Sequence, residues 1–106
     1  MVERPVPKVG LLKIYPHPRA RGSFVVQLRD HDGALVVLTN LGGREASDSG
    51  SRPYDRIRSV CRELISRGTT HCSEDIHARF PKRLLRIVKN AISISGIGFR
   101  TKLAAV

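Results

Sequence analysis

Several features that often carry function are scarce in this sequence. Among its 106 residues there is no Trp, with only three Phe and two Tyr. No apolar run approaches the ~20 residues that a membrane-spanning helix needs. The N-terminal stretch MVERPVPK lacks the apolar segment of a signal peptide. The sequence therefore predicts a small cytoplasmic protein that does not enter a membrane and has an aliphatic core.

Cysteine is also scarce, which argues against a disulfide framework. The chain has two cysteines, Cys61 and Cys72, and no C-x-x-C or H-x-x-x-H pair. A zinc site built from Cys61, His71, Cys72 and His77 would lack the ligand spacing of structural zinc sites. Cys61 lies in an apolar helical pattern, where a buried hydrophobic role is expected. We therefore expect no metal and no other cofactor.

Acidic residues are few relative to basic ones. The chain has 19 Lys and Arg against nine Asp and Glu, giving a net charge of +10. The imbalance is concentrated in the second half, where residues 51–106 hold twelve basic and four acidic residues. A surface of one sign predicts a polyanionic partner such as DNA, RNA or an anionic membrane face. An excess of basic residues can also serve solubility alone.

Local patterns divide the chain into a β part and a helical part. Residues 1–10 are predicted to form an extended arm and residues 11–40 a small β part. Within it, FVVQLRD and LVVLTN flank an Asp-Gly pair, which predicts a hairpin with a type I′ turn. Residues 41–52 are rich in Gly, Ser and Asp, which is typical of a flexible loop. Residues 53–106 are predicted to be the helical part, packed with 11–40 into one compact domain.

The helical part shows three helical patterns and then a strand pattern. Pro53 begins the first, which has apolar residues at helical spacing and ends at Gly68. Ser73 is predicted to cap a short second helix that Pro81 ends. The third begins at Lys82. After Gly96, alternating residues from Ile97 to Leu103 predict a strand.

This order resembles the winged helix-turn-helix of many transcription regulators. The resemblance rests on RIRSVCRELISRG, SEDIHARF, PKRLLRIVKNAISIS and GIGFRTKL, and covers residues 53–104. It includes a Gly after the first helix (Gly68), an apolar residue within the second (Ile76) and a Gly-apolar pair opening the wing (Gly96-Ile97). The expected fold class is α+β: a β-hairpin with three short strands, then a three-helix winged helix-turn-helix with a C-terminal basic strand.

The third helix supplies most of the candidate site. Its positive residues fall within an arc of roughly 120° at 100° per residue, opposite an apolar face. The resemblance implies that a recognition helix carries Lys82, Arg83, Arg86, Lys89 and Asn90, and that the wing carries Arg100 and Lys102. Arg83, Arg86 and Asn90 suit base edges, whereas the lysines suit phosphates. Arg19 and Arg21, in the loop PHPRARG, could enter a minor groove, although a plain exposed turn also explains them.

The predicted function is that of a non-enzymatic, sequence-specific regulator that binds double-stranded DNA. No nucleotide-binding or nucleophile motif is present to support an enzyme. Two alternatives remain open: an RNA-binding protein, and an accessory or inhibitor protein whose basic face meets an acidic partner. Because one module contacts few base pairs, we also expect a homodimer that forms through residues 11–40. A competing expectation packs the hairpin on the first helix of its own chain.

Overall fold

The structure of the chain is a computed structural model that describes residues 6–42 and 52–99. Within these ranges it contains the strands β1 (Val9–Pro16), β2 (Ser23–Arg29), β3 (Leu35–Gly42), β4 (His71–Ile76) and β5 (Gly98–Phe99), and the helices α1 (Arg52–Ser66) and α2 (Lys82–Ile94). The predicted loop and wing residues fall largely in 43–51 and 100–106, and part of the predicted arm in 1–5. Those segments lie outside the described residues.

The five strands form one mixed sheet in the order β3-β2-β1-β4-β5. The first three form an antiparallel meander, as β1 pairs with β2 and β2 pairs with β3. In contrast, β4 lies parallel to β1, and β5 lies parallel to β4. Both helices are crossover connections between parallel strands.

One face of the sheet is covered by the two helices. Strand residues alternate between faces, and the covered face of the meander carries Leu12, Ile14, Val26, Leu28 and Val37, all buried. These side chains share one core with Ile57, Cys61 and Leu64 of α1 and with Leu84, Val88 and Ile92 of α2. The predicted hairpin, with Phe24, Val26 and Leu28 on one face, is confirmed, and it packs within its own chain. Within residues 52–99, neither helix is long and apolar enough to cross a membrane.

The predicted second helix is wrong, because residues His71–Ile76 form β4. Ser73 does not cap a helix; its hydroxyl donates to the carbonyl of Gly10 on β1, 3.2 Å away. Cys72 is a buried residue of this strand. The segment pairs along β1 from Val9–His71 to Ile14–Ile76. This long-range pairing outweighs the local cap signal, since strand formation depends strongly on neighbouring strands.

The predicted winged helix-turn-helix is therefore also wrong. The described residues contain two helices around a five-stranded sheet, whereas that fold needs a bundle of three helices. The strand after Gly96 exists, but Gly98 and Phe99 pair in parallel with His71 and Cys72. A wing is a hairpin and would pair antiparallel. The fold class remains α+β, but the helical part and the β part share a single sheet.

The β2–β3 connection also differs from the predicted type I′ turn. That turn needs positive φ at both central residues, and here only Gly33 has it, at 86°. The amide of Gly33 donates to the carbonyl of Asp30, and the Asp30 carboxylate accepts from the amides of Asp32 and Ala34, both at 2.9 Å. The Asp30 side chain thus supplies the turn geometry that a second positive-φ residue would otherwise provide.

Asp30 also fastens this turn to the end of α1. Its carboxylate is almost fully buried and accepts from the Arg67 guanidinium at 3.1 Å. Burial raises the pKa of Asp30, but the hydrogen bonds from the Ala34 amide, Arg67 and the Asp32 amide outweigh it, so that the pKa is lowered overall. Close by, the Thr69 hydroxyl lies 2.7 Å from Nδ1 of His31. The hairpin turn and the α1–β4 turn are consequently held together.

We predict that Asp30→Asn lowers the melting temperature near pH 6, because the amide loses the ion pair with Arg67. A lowered folded-state pKa stabilises the fold above the unfolded value near 3.8, and this contribution is lost as pH falls through the folded-state pKa. The difference between wild type and variant should therefore shrink below about pH 4. Thermal denaturation followed by circular dichroism from pH 3 to 7 measures it.

Asp32→Asn is the matched control, since the Asp32 side chain is 81% exposed. It should melt close to wild type at every pH. A difference in melting temperature between Asp30→Asn and wild type that stays constant down to pH 3 would contradict the role assigned to the ionised Asp30 carboxylate.

Candidate nucleic-acid interface

The carboxyl ends of β1 and β4 carry two neighbouring basic loops. Because these strands are adjacent and parallel, the loop 17–22 and the loop 77–81 emerge at the same end of the sheet. Residues 17–22 and 77–83 contain no Asp or Glu. They bring together five basic residues, which we call the carboxyl-end cluster: Arg19, Arg21, Arg79, Lys82 and Arg83. All five side chains are exposed.

Aromatic packing links the two loops. Phe24, which follows the first loop at the start of β2, packs edge-on against Phe80 with ring centroids 5.1 Å apart. The His77 ring lies 6.3 Å from the same Phe24 ring. Phe80 is buried in the core. The loops therefore rest on a common apolar base, which restricts their relative position.

The first turn of α2 has an unusual charge. Helix N-termini favour acidic residues, because the aligned peptide dipoles and free N–H groups make that end positive. Here the first turn has no acidic residue, and Pro81 at the N-cap makes no side-chain cap hydrogen bond. Lys82 and Arg83 add two positive charges. An external anion would reduce this unfavourable electrostatic energy, as phosphates do at other helix N-termini.

The exposed face of α2 extends the cluster along the helix. An open groove of about 680 Å³ runs beside this face, lined by Lys82, Leu85, Arg86, Lys89, Asn90 and Ser93. Arg83 is exposed as well, so its cation is available at the surface. The structure thus places four of the five predicted α2 residues, Lys82, Arg83, Arg86 and Asn90, on an exposed surface with the carboxyl-end cluster at its beginning.

Lys89 differs from the other basic residues of α2. Its ammonium lies 2.8 Å from the Glu74 carboxylate and 4.9 Å from the centre of the Phe99 ring. Its side chain is half-buried over β4 and β5. Most of its charge is thus compensated inside the protein, and it holds α2 to the sheet.

The remaining predicted residues separate into two groups. Arg19 and Arg21 lie in the loop 17–22, at the same end of the sheet as the beginning of α2. Arg100 and Lys102 lie outside the described residues. Sequence reasoning missed Arg79, which the β1–β4 pairing brings to the same end as Arg19. His77, Arg79 and Lys82 are visible in the sequence as closely spaced basic residues. The sequence interpretation, however, places His77 and Arg79 at the end of the predicted second helix.

Tyr54, near the beginning of α1, lies close enough to Arg83 of the carboxyl-end cluster to feel its charge. It is 5% exposed, and its hydroxyl makes no hydrogen bond within the described ranges. Burial raises the pKa of this phenol, partly opposed by the positive charge of Arg83. The phenol therefore stays protonated at neutral pH and adds no negative charge to the surface.

The chemistry available elsewhere is limited. Burial raises the pKa of Cys61 to about 11 and that of Cys72 to about 12, so neither thiol is a thiolate nucleophile at neutral pH. No three His, Cys, Asp or Glu side chains in residues 6–42 and 52–99 are grouped to hold a metal ion. The strongest chemical feature of the described chain is therefore its basic surface.

Comparisons with known proteins add no family. No protein-family model matches the chain, and no curated protein matches it either.

We predict that Lys89→Ala destabilises the fold whereas Arg86→Ala does not. Lys89→Ala should destabilise the fold by about 1 kcal/mol, because it removes an ion pair and a cation–aromatic contact. Arg86→Ala removes an exposed side chain without a partner among the described residues and should leave stability unchanged within about 0.5 kcal/mol. Chemical denaturation of both variants measures this. Equal losses of stability would contradict the distinction.

Proposed function

We propose that this protein is a non-enzymatic DNA-binding protein that holds double-stranded DNA against the carboxyl-end cluster and the exposed face of α2. The observation that carries the proposal is the gathering of basic side chains from two loops and one helix onto a surface without an acidic residue in those segments. Like charges placed this closely repel one another, and a polyanion relieves the repulsion.

Duplex DNA fits this surface better than single-stranded RNA. Proteins that bind single strands stack bases on exposed aromatic rings. Near the cluster, Phe80 is buried and Phe24 packs against it. Tyr15 lies on the opposite face of the sheet, where its hydroxyl accepts from Nε2 of Gln27 at 2.8 Å. The basic surface therefore offers cations for phosphates but few platforms for bases.

The predicted contacts divide between backbone and bases. Arg19, Arg21, Arg79 and Lys82 suit phosphates, since they surround the positive end of α2. Arg86 and Asn90 lie one and two turns further along the exposed face. Arginine pairs with guanine and asparagine with adenine in the major groove of B-DNA, which is wide enough for a helix. Sequence specificity and a role in transcription rest on these two residues and stay predictions.

Salt dependence is the first test of this proposal. If about five phosphates are neutralised, the logarithm of the affinity for a duplex should fall against the logarithm of salt concentration with a slope near −4 to −5. Fluorescence anisotropy with a labelled duplex of about 20 base pairs gives the slope.

Arg86→Ala should weaken binding of a preferred DNA sequence by about 1–3 kcal/mol and binding of other sequences less.

Competition with duplex RNA and with single-stranded RNA makes the result decisive. Duplex RNA or single-stranded RNA that competes better than duplex DNA would favour the RNA-binding alternative instead. If no duplex or single strand binds measurably, an acidic protein partner is favoured instead, whose own binding would depend less steeply on salt. Arg29→Ala is a matched control because Arg29 lies on the other face of the sheet, where it bonds to the carbonyl of Gly33.

We further propose that the protein forms a homodimer through the edge of β3. This strand is at one end of the sheet order, and its sequence LVVLTNLG has no charged residue. Leu35 and Leu38 are 47% and 49% exposed. Natural edge strands are usually protected by charge or proline against pairing with another strand. Since the chain carries +10, an uncharged edge is where two copies approach with least repulsion, and antiparallel β3–β3 pairing gives two-fold symmetry.

We predict that Leu38→Asp converts a dimer into an 11.8 kDa monomer while preserving the fold. Its side chain points away from the helices, so the charge stays in solvent and repels its symmetry mate. Val37→Asp is the contrasting variant, because Val37 is 3% exposed in the core. It should unfold the chain, as an unpaired buried charge costs on the order of several kcal/mol. Analytical ultracentrifugation with circular dichroism tests both, and a wild-type monomer at micromolar concentration would refute the dimer.

A further inference from the structure

Two tripeptides of the same pattern lie at the carboxyl end of the sheet. His17-Pro18-Arg19 follows β1, and His77-Ala78-Arg79 follows β4. In the first, Nδ1 of His17 accepts from the backbone amide of Arg19 at 3.0 Å and from that of Ala20 at 3.0 Å. In the second, Nδ1 of His77 accepts from the backbone amide of Arg79 at 3.1 Å. The same side-chain bond thus shapes both turns.

The strand pairing brings these turns to the same end of the sheet, where β1 continues two residues beyond the end of β4. Ile14 is opposite Ile76 in the parallel register, and the amide of His77 donates to the carbonyl of Ile14 at 2.9 Å. Adjacent strands lie about 4.8 Å apart, so the two turns begin on neighbouring strands with an offset of two residues along β1. Each turn ends in an exposed arginine.

These hydrogen bonds also fix the tautomer of a neutral imidazole in each turn. A ring nitrogen that accepts a hydrogen bond carries no proton, so a neutral ring carries it on Nε2. Because Nδ1 is occupied by the backbone in both turns, each histidine holds the chain in the conformation that presents its arginine. Asn and Asp side chains make the equivalent bond in many loops.

We propose that the two turns form a clamp in which Arg19 and Arg79 bind the same phosphate group. The ligand of the clamp is a phosphate oxyanion. In DNA binding this ligand is a backbone phosphate of the duplex, and the identification of that source rests on the proposed function. Guanidinium groups suit this task, because they bind phosphate oxygens through two parallel N–H donors. His17 and His77 are positioning residues that act through the backbone.

The arginines are tested by a double-mutant cycle. Arg19→Gln and Arg79→Gln should each weaken binding of a labelled duplex about tenfold. Because both arginines hold one phosphate, the double variant should lose much less than the product of the single effects. Arg56→Gln, on the exposed surface of α1, removes the same charge elsewhere and should cost less than about threefold. Single effects that multiply, or that equal the Arg56→Gln effect, would overturn the clamp.

The histidines are tested by rescue. His17→Ala and His77→Ala remove the acceptor for the arginine amide and should weaken binding several-fold. His17→Asn and His77→Asn restore an acceptor oxygen and should recover most of the affinity. Circular dichroism checks that all four variants are folded. If the Asn variants bind as weakly as the Ala variants, or if the Ala variants bind like wild type, the positioning role is refuted.

Inorganic phosphate separates failure of the clamp from failure of the proposed function. Millimolar phosphate should raise the melting temperature of wild type but not of the Arg19→Gln/Arg79→Gln variant, at matched ionic strength with chloride. If phosphate has this effect and DNA does not bind, DNA binding is refuted and the clamp stands as a site for free phosphate groups. If DNA binds and the double variant behaves like Arg56→Gln, the clamp is refuted and DNA binding stands. If phosphate does not raise the melting temperature and DNA does not bind, both the clamp and DNA binding are refuted.

Discussion

The parallel pairing of β4 with β1 is the contact on which the other features of this structure depend. It joins the β part and the helical part into one sheet, from Val9–His71 to Ile14–Ile76. It makes α1 and α2 crossovers, which the usual right-handed connection directs to a common face. It also brings the ends of β1 and β4 to the same end of the sheet, so that the basic loops beginning at His17 and His77 start from neighbouring strands. Ligands of α/β sheets commonly bind at this end of the strands, because loops and helix N-termini converge there.

Local sequence predicted those elements whose signals are local. The hairpin, α1 and α2 follow from alternation and helical spacing, and Gly68 follows α1 with positive φ as a residue that ends a helix does. β4 could not be predicted in this way. HCSEDI contains a cap-like Ser followed by two acids, and only its neighbour β1, about sixty residues earlier in the chain, makes it a strand. The same difficulty affected the site. Lys82, Arg83 and Arg86 were recognisable from α2 alone, whereas the proximity of Arg79 to Arg19 requires the sheet.

The charges of the described chain divide into compensated and uncompensated sets. Arg67 pairs with Asp30 and Glu63, Arg58 with Asp55, and Lys89 with Glu74. These pairs account for most acidic side chains in the described ranges, and they hold turns and helices in place. The cations of the carboxyl-end cluster make no such pair in residues 6–42 and 52–99. Part of the excess behind the net charge of +10 thus lies where two loops and a helix N-terminus meet, and this location favours a polyanionic ligand at that surface.

Mapping by NMR tests most directly the proposal that DNA binds at this end of the sheet and along α2. Backbone amide signals of ¹⁵N-labelled protein would be recorded during titration with a DNA duplex at physiological salt. Binding at this surface predicts shifts concentrated in residues 17–22 and 77–90, with the Arg19 and Arg79 amides among those that shift most. Shifts concentrated instead on the uncovered sheet face, at Tyr15, Gln27 and Leu38, would contradict it.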